Sequence, residues 1–257
     1  MLKAKKSLGQ NWLVNEKVVE KLVSTAKISP SVGGGETVLE AGPGEGVLTA
    51  ALLEAGAQVV AVEKDDRLQT VLTEKFKAEI LSGQLKLIPG DILKFDPILI
   101  NQPYKIVANL PYYLTGEFIK KFLTTKAKPT AMVLMLQQAV AERIIAKNGK
   151  ESVLSISVKA YGQPRLVQRV KRGNFRPVPK VDSAIVAIEQ IGDQNFKKCD
   201  EKKFFQILKT GFGQKRKKLK NNLKLTDKML VAYGDKRAED LQLKDWLKLC
   251  ANQSNNY

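Results

Sequence analysis

The chain has 257 residues, with 43 Lys and Arg against 26 Asp and Glu, a formal net charge of +17, and no histidine. That length can bury one sizeable core plus a small appendage; no apolar run is long enough to span a membrane, and residues 1–6 carry no secretory signal. Without histidine, Ser-His-Asp and Cys-His catalysis are excluded and the commonest zinc ligand is missing, so no metal is expected, while the excess of positive charge points to a polyanionic partner, of which nucleic acid is the usual one.

Asn15 to Ala26 reads as an amphipathic helix. Residues 37–41 form a short β-branched run that breaks into Gly42, Gly44 and Gly46, followed by a helical pattern at 47–55. Glycines at a strand-to-helix turn let the backbone approach a ligand closely. The next strand, 58–62, ends in Glu63, 21 residues after Gly42, about where a nucleotide-binding α/β unit places its ribose-binding carboxylate. The spacing is G-x-G-x-G rather than G-x-G-x-x-G. Glu40, two positions before the first glycine, tilts the reading toward S-adenosylmethionine, which has a cationic sulfonium and no pyrophosphate. On the glycines alone a dinucleotide site or an empty turn stays open. A helix at 65–81 and a strand at 85–88 follow, and the strand runs into Gly90-Asp91, an ordinary turn pair that also suits a ligand site.

Residues 104–108 read as a buried strand that stops at Asn109-Leu110-Pro111-Tyr112-Tyr113. Pro111 fixes its own φ and biases Leu110 toward an extended conformation. The turn is stiff, and its carbonyls are not consumed by a following helix. An amide oxygen and free carbonyls beside an aromatic face make an acceptor-rich pocket suited to an exocyclic amino group on a flat ring. Asn-Leu-Pro-Tyr is the type of motif found in enzymes that methylate amino nitrogens of adenine. The alternative is a plain strand-to-helix turn with Tyr112 and Tyr113 as core filler.

Helical patterns at 115–123, 138–147 and 151–161 surround a strand at 130–136. Strands at 165–170 and 183–191 then read as a terminal hairpin. The order predicts an α/β fold: a seven-stranded, mostly parallel sheet with right-handed crossovers and an antiparallel hairpin, the Rossmann-like class I methyltransferase plan. Residues 1–191 would form this domain, and 192–195 look like a linker. Helices at 200–210, 215–224, 226–233 and 243–250 suggest a small all-α domain over 192–257. From Asn195 onward there are 16 Lys and Arg against 7 Asp and Glu, so a quarter of the chain carries over half of the excess charge. The densest run, Lys215, Arg216, Lys217, Lys218 and Lys220, is a candidate for phosphate contact, the alternative being a solvated helix face. Cys199 and Cys250 are distant and lack metal spacing. They imply no disulfide framework, and a reducing cytosol is the expected compartment.

Taken together, these blocks resemble the ribosomal small-subunit RNA adenine dimethyltransferase family. The resemblance spans nearly the whole length. It begins with Lys6-Ser7-Leu8-Gly9-Gln10-Asn11-Trp12-Leu13, with Trp12 where the family usually has Phe, and runs through Val38 to Gly46, Glu63, Gly90-Asp91 and Asn109 to Tyr113. It continues in Leu134 to Arg143, Phe175 to Ala184, Arg216 to Leu223 and Arg237 to Leu241. The last two blocks are similar to the C-terminal domain of small-subunit enzymes, where the related large-subunit enzymes of macrolide resistance diverge. Gln138-Ala139 departs from the usual Lys-Glu, which puts local salt bridges in doubt but not the chemistry. The tract Arg169, Lys171, Arg172 is unusually basic.

The resemblance implies dimethylation of N6 on two adjacent adenines near the 3′ end of small-subunit RNA, with S-adenosylmethionine as cofactor. It also implies a late-assembly small ribosomal subunit as partner, a monomeric chain and a cytoplasmic location. Asn11, Leu13, Gly42, Gly44, Glu63, Asp91 and Asn109 would line the cofactor site, Glu63 taking both ribose hydroxyls and Asp91 the adenine amino group. Asn109, Leu110, Pro111 and Tyr112 would hold the target base, and Phe175 would cover its other face. Without the resemblance Phe175 reads as a core aromatic. Two rival functions are a large-subunit adenine methyltransferase and a non-catalytic RNA-binding assembly or transcription factor of the same fold.

Overall fold

The computed structural model describes residues 3–5, 8–29, 35–197, 199–214 and 216–252. Lys6 and Ser7 of the first resembling block, and Lys215 of the basic run, lie outside the described residues. By its internal contacts the chain divides into two units: Met1–Ala141 with Arg165–Ile191, and Glu142–Pro164 with Gly192–Tyr257.

The first unit opens with a two-residue strand, β1 (Trp12–Leu13), and helix α1 (Glu16–Ala26), capped by the Asn15 side chain on the Lys17 N–H. Alternation then runs β2 (Thr37–Ala41), α2 (Val47–Glu54), β3 (Gln58–Glu63), α3 (Asp66–Lys75), α4 (Lys77–Leu81), β4 (Leu85–Pro89), β5 (Tyr104–Asn109), α5 (Thr115–Thr124), β6 (Ala131–Gln137) and α6 (Gln138–Ile144). The single helix expected over 65–81 is two. Phe76, at φ −112° and ψ 31°, breaks it, and its ring is buried in the core against the glycine turn.

The main sheet has the order β4-β3-β2-β5-β6-β9-β7, with β7 at Gln163–Val170 and β9 at Ser183–Glu189. Strands β2 to β6 pair in parallel, whereas β9 runs antiparallel to β6. Arg165 at the start of β7 pairs with Glu189 at the end of β9 at 3.0 Å, which fits the hairpin expected at this edge. The order reverses between β2 and β5, and open α/β sheets bind ligands at the carboxyl ends of the strands flanking such a point. Every residue of β2 is buried, and the core fills both faces with residues such as Leu39, Leu52, Ile106, Phe118 and Leu134. A second, two-stranded antiparallel ribbon pairs β1 with β8 (Phe175–Arg176), matching Leu13 to Phe175. Two-residue strands leave no periodic signal, so this ribbon was not legible beforehand.

The second unit is helical: α7 (Val153–Tyr161), α8 (Glu201–Gly211), α9 (Asp227–Tyr233) and α10 (Leu243–Asn252). Residues 1–191 are expected to form one domain, but residues 142–164 cluster with the helices instead. The buried Tyr161 ring explains this, lying 5.1 Å from Phe196 and 5.9 Å from Phe205, with its hydroxyl on Glu201 at 2.5 Å. The helix expected at 215–224 is not formed over its described residues, 216–224. Leu219 is fully buried, its N–H bonds the Lys236 carbonyl at 2.8 Å, and only a 3-10 turn remains at Leu219–Asn221. The expectation of unpaired cysteines is also overturned. Cys199 and Cys250 form a disulfide with Cα atoms 6.0 Å apart, because packing of α10 against α8 joins positions 51 residues apart. The compartment therefore no longer follows from cysteine usage.

Candidate active site

The carboxyl ends of β2, β3, β4 and β5 border one cavity. Its walls include Asn11, Gly42, Gly44, Glu63, Asp91, Asn109, Leu110, Pro111, Tyr112 and Phe175. Leu13 is absent from this wall; it lines a smaller adjoining cavity with Trp12, Glu40, Gly42, Gly44 and Asn109.

Gly42 adopts φ +68°, and a Cβ there would meet nothing within 4 Å, so the turn keeps open space beside the strand end. Glu63 ends β3, only 5% exposed. One carboxylate oxygen accepts from the Asp65 N–H at 2.8 Å and the other from the Gly44 N–H at 3.1 Å. Each oxygen keeps a second lone pair for a ligand hydroxyl. Burial pushes the Glu63 carboxyl up, against the pull of these N–H groups. Asp91 accepts from the Leu93 N–H at 2.9 Å and from Lys64 Nζ at 2.8 Å. The Lys64 ammonium holds this carboxyl below its usual range.

On the opposite wall, Asn109 Nδ2 donates to the Asn11 carbonyl at 3.1 Å. With Nδ2 committed to Asn11, the amide atom left to accept from a ligand is Oδ1. Leu110 is buried, and the next turn closes by the Leu114 N–H on the Pro111 carbonyl at 3.0 Å, which leaves the Leu110 carbonyl out of that turn. Pro111 sits at φ −54° and ψ 132°, the stiff extended geometry expected. The Tyr112 hydroxyl is tied to Ser183 Oγ at 2.8 Å, which fixes its ring, and burial pushes its phenol up. Phe175 is buried at 3%, belongs to the core cluster and also forms part of the cavity wall.

Sequence reasoning missed a clasp beside this cavity. Asp65 caps α3 and is 1% exposed. It binds Arg67 at 2.7 Å, Lys5 at 3.0 Å and Gln10 Nε2 at 3.0 Å. The Arg67 guanidinium, then Gln10 and Lys5, hold its carboxyl far below the usual range. The clasp ties the arm before β1 to the cavity's edge. The only sequence signal was an acid two residues past Glu63. Glu40 was legible as an acid, but not its state. It is fully buried, accepts from Thr49 Oγ1 at 2.7 Å, and burial pushes its carboxyl up to about 8.

The basic run belongs to the helical unit. Lys218 and Lys220 both pair with Asp235, at 3.0 and 2.8 Å, and these lysines pull the Asp235 carboxyl down to about 2. Arg216 and Lys217 are exposed and carry no ion pair among the described residues. No group of His, Cys, Asp or Glu suited to a metal occurs among the described residues. No described helix is long and apolar enough to cross a membrane.

A doubly wound sheet that gathers a glycine turn, the buried Glu63 carboxylate, a Gly-Asp turn and the Asn109-Leu110-Pro111-Tyr112 turn at its switch point has the plan of a class I S-adenosylmethionine-dependent methyltransferase. The comparisons narrow this further. The ribosomal RNA adenine dimethylase family model matches residues 1–251. The ribosomal RNA small subunit methyltransferase A of Dehalococcoides mccartyi strain BAV1 is 42% identical, covering 99% of this chain and 90% of that protein. The protein of the same name from Lactobacillus delbrueckii subsp. bulgaricus is 38% identical over 96% and 89%. Among solved structures, a dimethyladenosine transferase from Plasmodium falciparum has TM-score 0.77 at 28% identity, covering 92% of this chain and 95% of its own. The 23S rRNA methyltransferase ErmE has TM-score 0.77 at 25% identity, covering 93% and 98%. The chain belongs to the ribosomal RNA adenine dimethylase family.

Proposed function

We propose that this chain dimethylates N6 of two adjacent adenines near the 3′ end of small-subunit ribosomal RNA, as a monomer without metal, on a late-assembly subunit in the cytoplasm. The observation that carries the chemistry is the Asn109 amide in the cavity wall, whose Nδ2 donates to the Asn11 carbonyl, so that Oδ1 is the atom left to accept. Bound S-adenosylmethionine supplies an electrophilic methyl group. Glu63 is the residue for its ribose, Asp91 for its adenine, and the Gly42–Gly44 turn for close backbone approach.

The N6 lone pair of adenine is delocalised into the ring. Asn109 Oδ1 and the Leu110 carbonyl accept from its two N–H groups and draw the nitrogen toward tetrahedral geometry, which localises the lone pair. Orientation is the main contribution of the protein. The alkylated nitrogen becomes acidic and loses its proton to water, so no histidine is required. Tyr112, fixed through Ser183, and Phe175 stack on the extruded base, worth roughly 1–3 kcal/mol per base. The second methylation needs only one N–H and room for one methyl.

The large-subunit alternative draws on the likeness to ErmE, as good in fold as that to the dimethyladenosine transferase. The relatives at 37–42% identity named for the small subunit favour the first reading. The test is methyl transfer to small- and large-subunit particles, with mass mapping of the methylated adenines, for wild type and Asn109→Ala. Transfer to adenines of small-subunit RNA, abolished in the variant with RNA binding kept, is expected. Near wild-type turnover in Asn109→Ala would overturn the acceptor argument.

A further inference from the structure

Trp12 stands where the resembling family usually has Phe, and the difference is one polar atom. Its backbone is fixed in β1, opposite Arg176 of β8. Its ring lies on the glycine turn: a Cβ on Gly44 would stand 3.0 Å from the indole Cδ1 and 3.3 Å from Nε1. Nε1 is buried and has no hydrogen-bond partner among the described residues. An indole nitrogen is a donor only, and burying it unpaired is costly. The ring borders both the main cavity and the smaller one beside Glu40, Gly42 and Asn109.

Position along the strand ends says which part of a ligand this donor meets. Asp91 follows β4, Glu63 ends β3, and the Gly42–Gly44 turn follows β2, in the spatial order β4-β3-β2-β5. A ligand with its adenine at Asp91 and ribose at Glu63 carries its remaining part, the amino-acid tail, toward the glycine turn and Trp12. The tail holds one ammonium and one carboxylate. A donor-only nitrogen can serve only the carboxylate. Burial pushes the nearby Glu40 carboxyl up to about 8, which weakens its repulsion of an anion.

We propose that Trp12 is a positioning residue whose indole N–H donates to the carboxylate of the cofactor's amino-acid tail, an interaction that phenylalanine at this place cannot make. The proposal rests on the cofactor reading of the cavity. Trp12→Phe keeps the ring and removes the donor. Calorimetry with S-adenosylhomocysteine should show about tenfold weaker binding in the variant, in line with a hydrogen bond to a charged group. Binding of 5′-methylthioadenosine, which lacks the tail, should be unchanged. The chain has two tryptophans, so the nitrogen-15 spectrum of the wild type has two indole signals, of which the variant loses Trp12's. That signal should move downfield with S-adenosylhomocysteine and not with methylthioadenosine. Equal affinities of both proteins for S-adenosylhomocysteine, or equal losses for the two ligands, would overturn the proposal. Failure of the wild type to bind either ligand would instead overturn the cofactor reading itself.

Discussion

Replacing Glu63 with Ala should affect two properties that the sequence alone would have treated as one. The carboxylate is 5% exposed and accepts two backbone N–H groups, from Asp65 at 2.8 Å and Gly44 at 3.1 Å. Removing it orphans both donors at the start of α3 and in the glycine turn, at about 1–3 kcal/mol for each group that water fails to reach. It also removes a charged acceptor for a vicinal diol, worth on the order of 1.5–3 kcal/mol of cofactor affinity, or roughly 10- to 150-fold. Fold and affinity therefore fall together in Glu63→Ala. Glu63→Gln separates them: its carbonyl oxygen still serves one N–H, while its NH2 faces the other. Urea unfolding and calorimetry with S-adenosylhomocysteine on both variants provide the assay. The expected order is wild type, Gln, Ala in stability, with both variants at least tenfold weaker in binding. Wild-type affinity in a folded Glu63→Gln protein would remove Glu63 from the ribose position and refute the reasoning.

Glu40 has a folded pKa raised to about 8 from 4.5, so its stabilising contribution is complete below about pH 4.5 and is lost as pH rises through 8. The loss runs at about 1.4 kcal/mol per pH unit across that window, and Glu40→Gln should remove it; identical pH–stability curves for the two proteins would contradict the burial argument. In the basic run, Arg216→Gln with Lys217→Gln should flatten the salt dependence of small-subunit binding by about 0.9 in logarithmic slope per lost phosphate contact, and leave cofactor affinity alone. Lys218→Gln should do less, because Asp235 already pairs with that lysine, and parallel slopes for all the proteins would mark the run as a solvated face. The disulfide closes a segment of 51 residues, so its reduction should destabilise the helical unit by up to about 4 kcal/mol on the chain-entropy model, and urea unfolding with and without reductant measures it. Two free thiols in the unreduced, unfolded protein would remove that constraint from the account.

Much of this molecule was readable in sequence because its signals are local. A β-branched run followed by three glycines is a strand and a turn whatever surrounds it, and β2 and α2 fall at Thr37–Ala41 and Val47–Glu54. Proline stiffens Asn109-Leu110-Pro111 by its own ring. The alternation of strand and helix, with parallel crossovers of one hand, brings Gly42, Glu63, Asp91 and Asn109 to the carboxyl end of one sheet.

What tertiary structure decided joins residues far apart in sequence or removes charge from water. The Asn109 amide is oriented by a carbonyl 98 positions away. Lys5 and Asp65 meet across 60 positions, and Cys199 and Cys250 across 51. The helical pattern at 215–224 is not realised over residues 216–224, where burial of Leu219 and its backbone bond to Lys236 prevent a helix and Asp235 neutralises part of the charge. Glu40 is an ordinary acid on paper; only complete burial pushes its carboxyl up to about 8. Periodicity and propensity report on neighbours within a few positions. Pairings across 50 to 100 positions, and the desolvation of a single carboxyl, depend on which chain segments the closed core finally brings together.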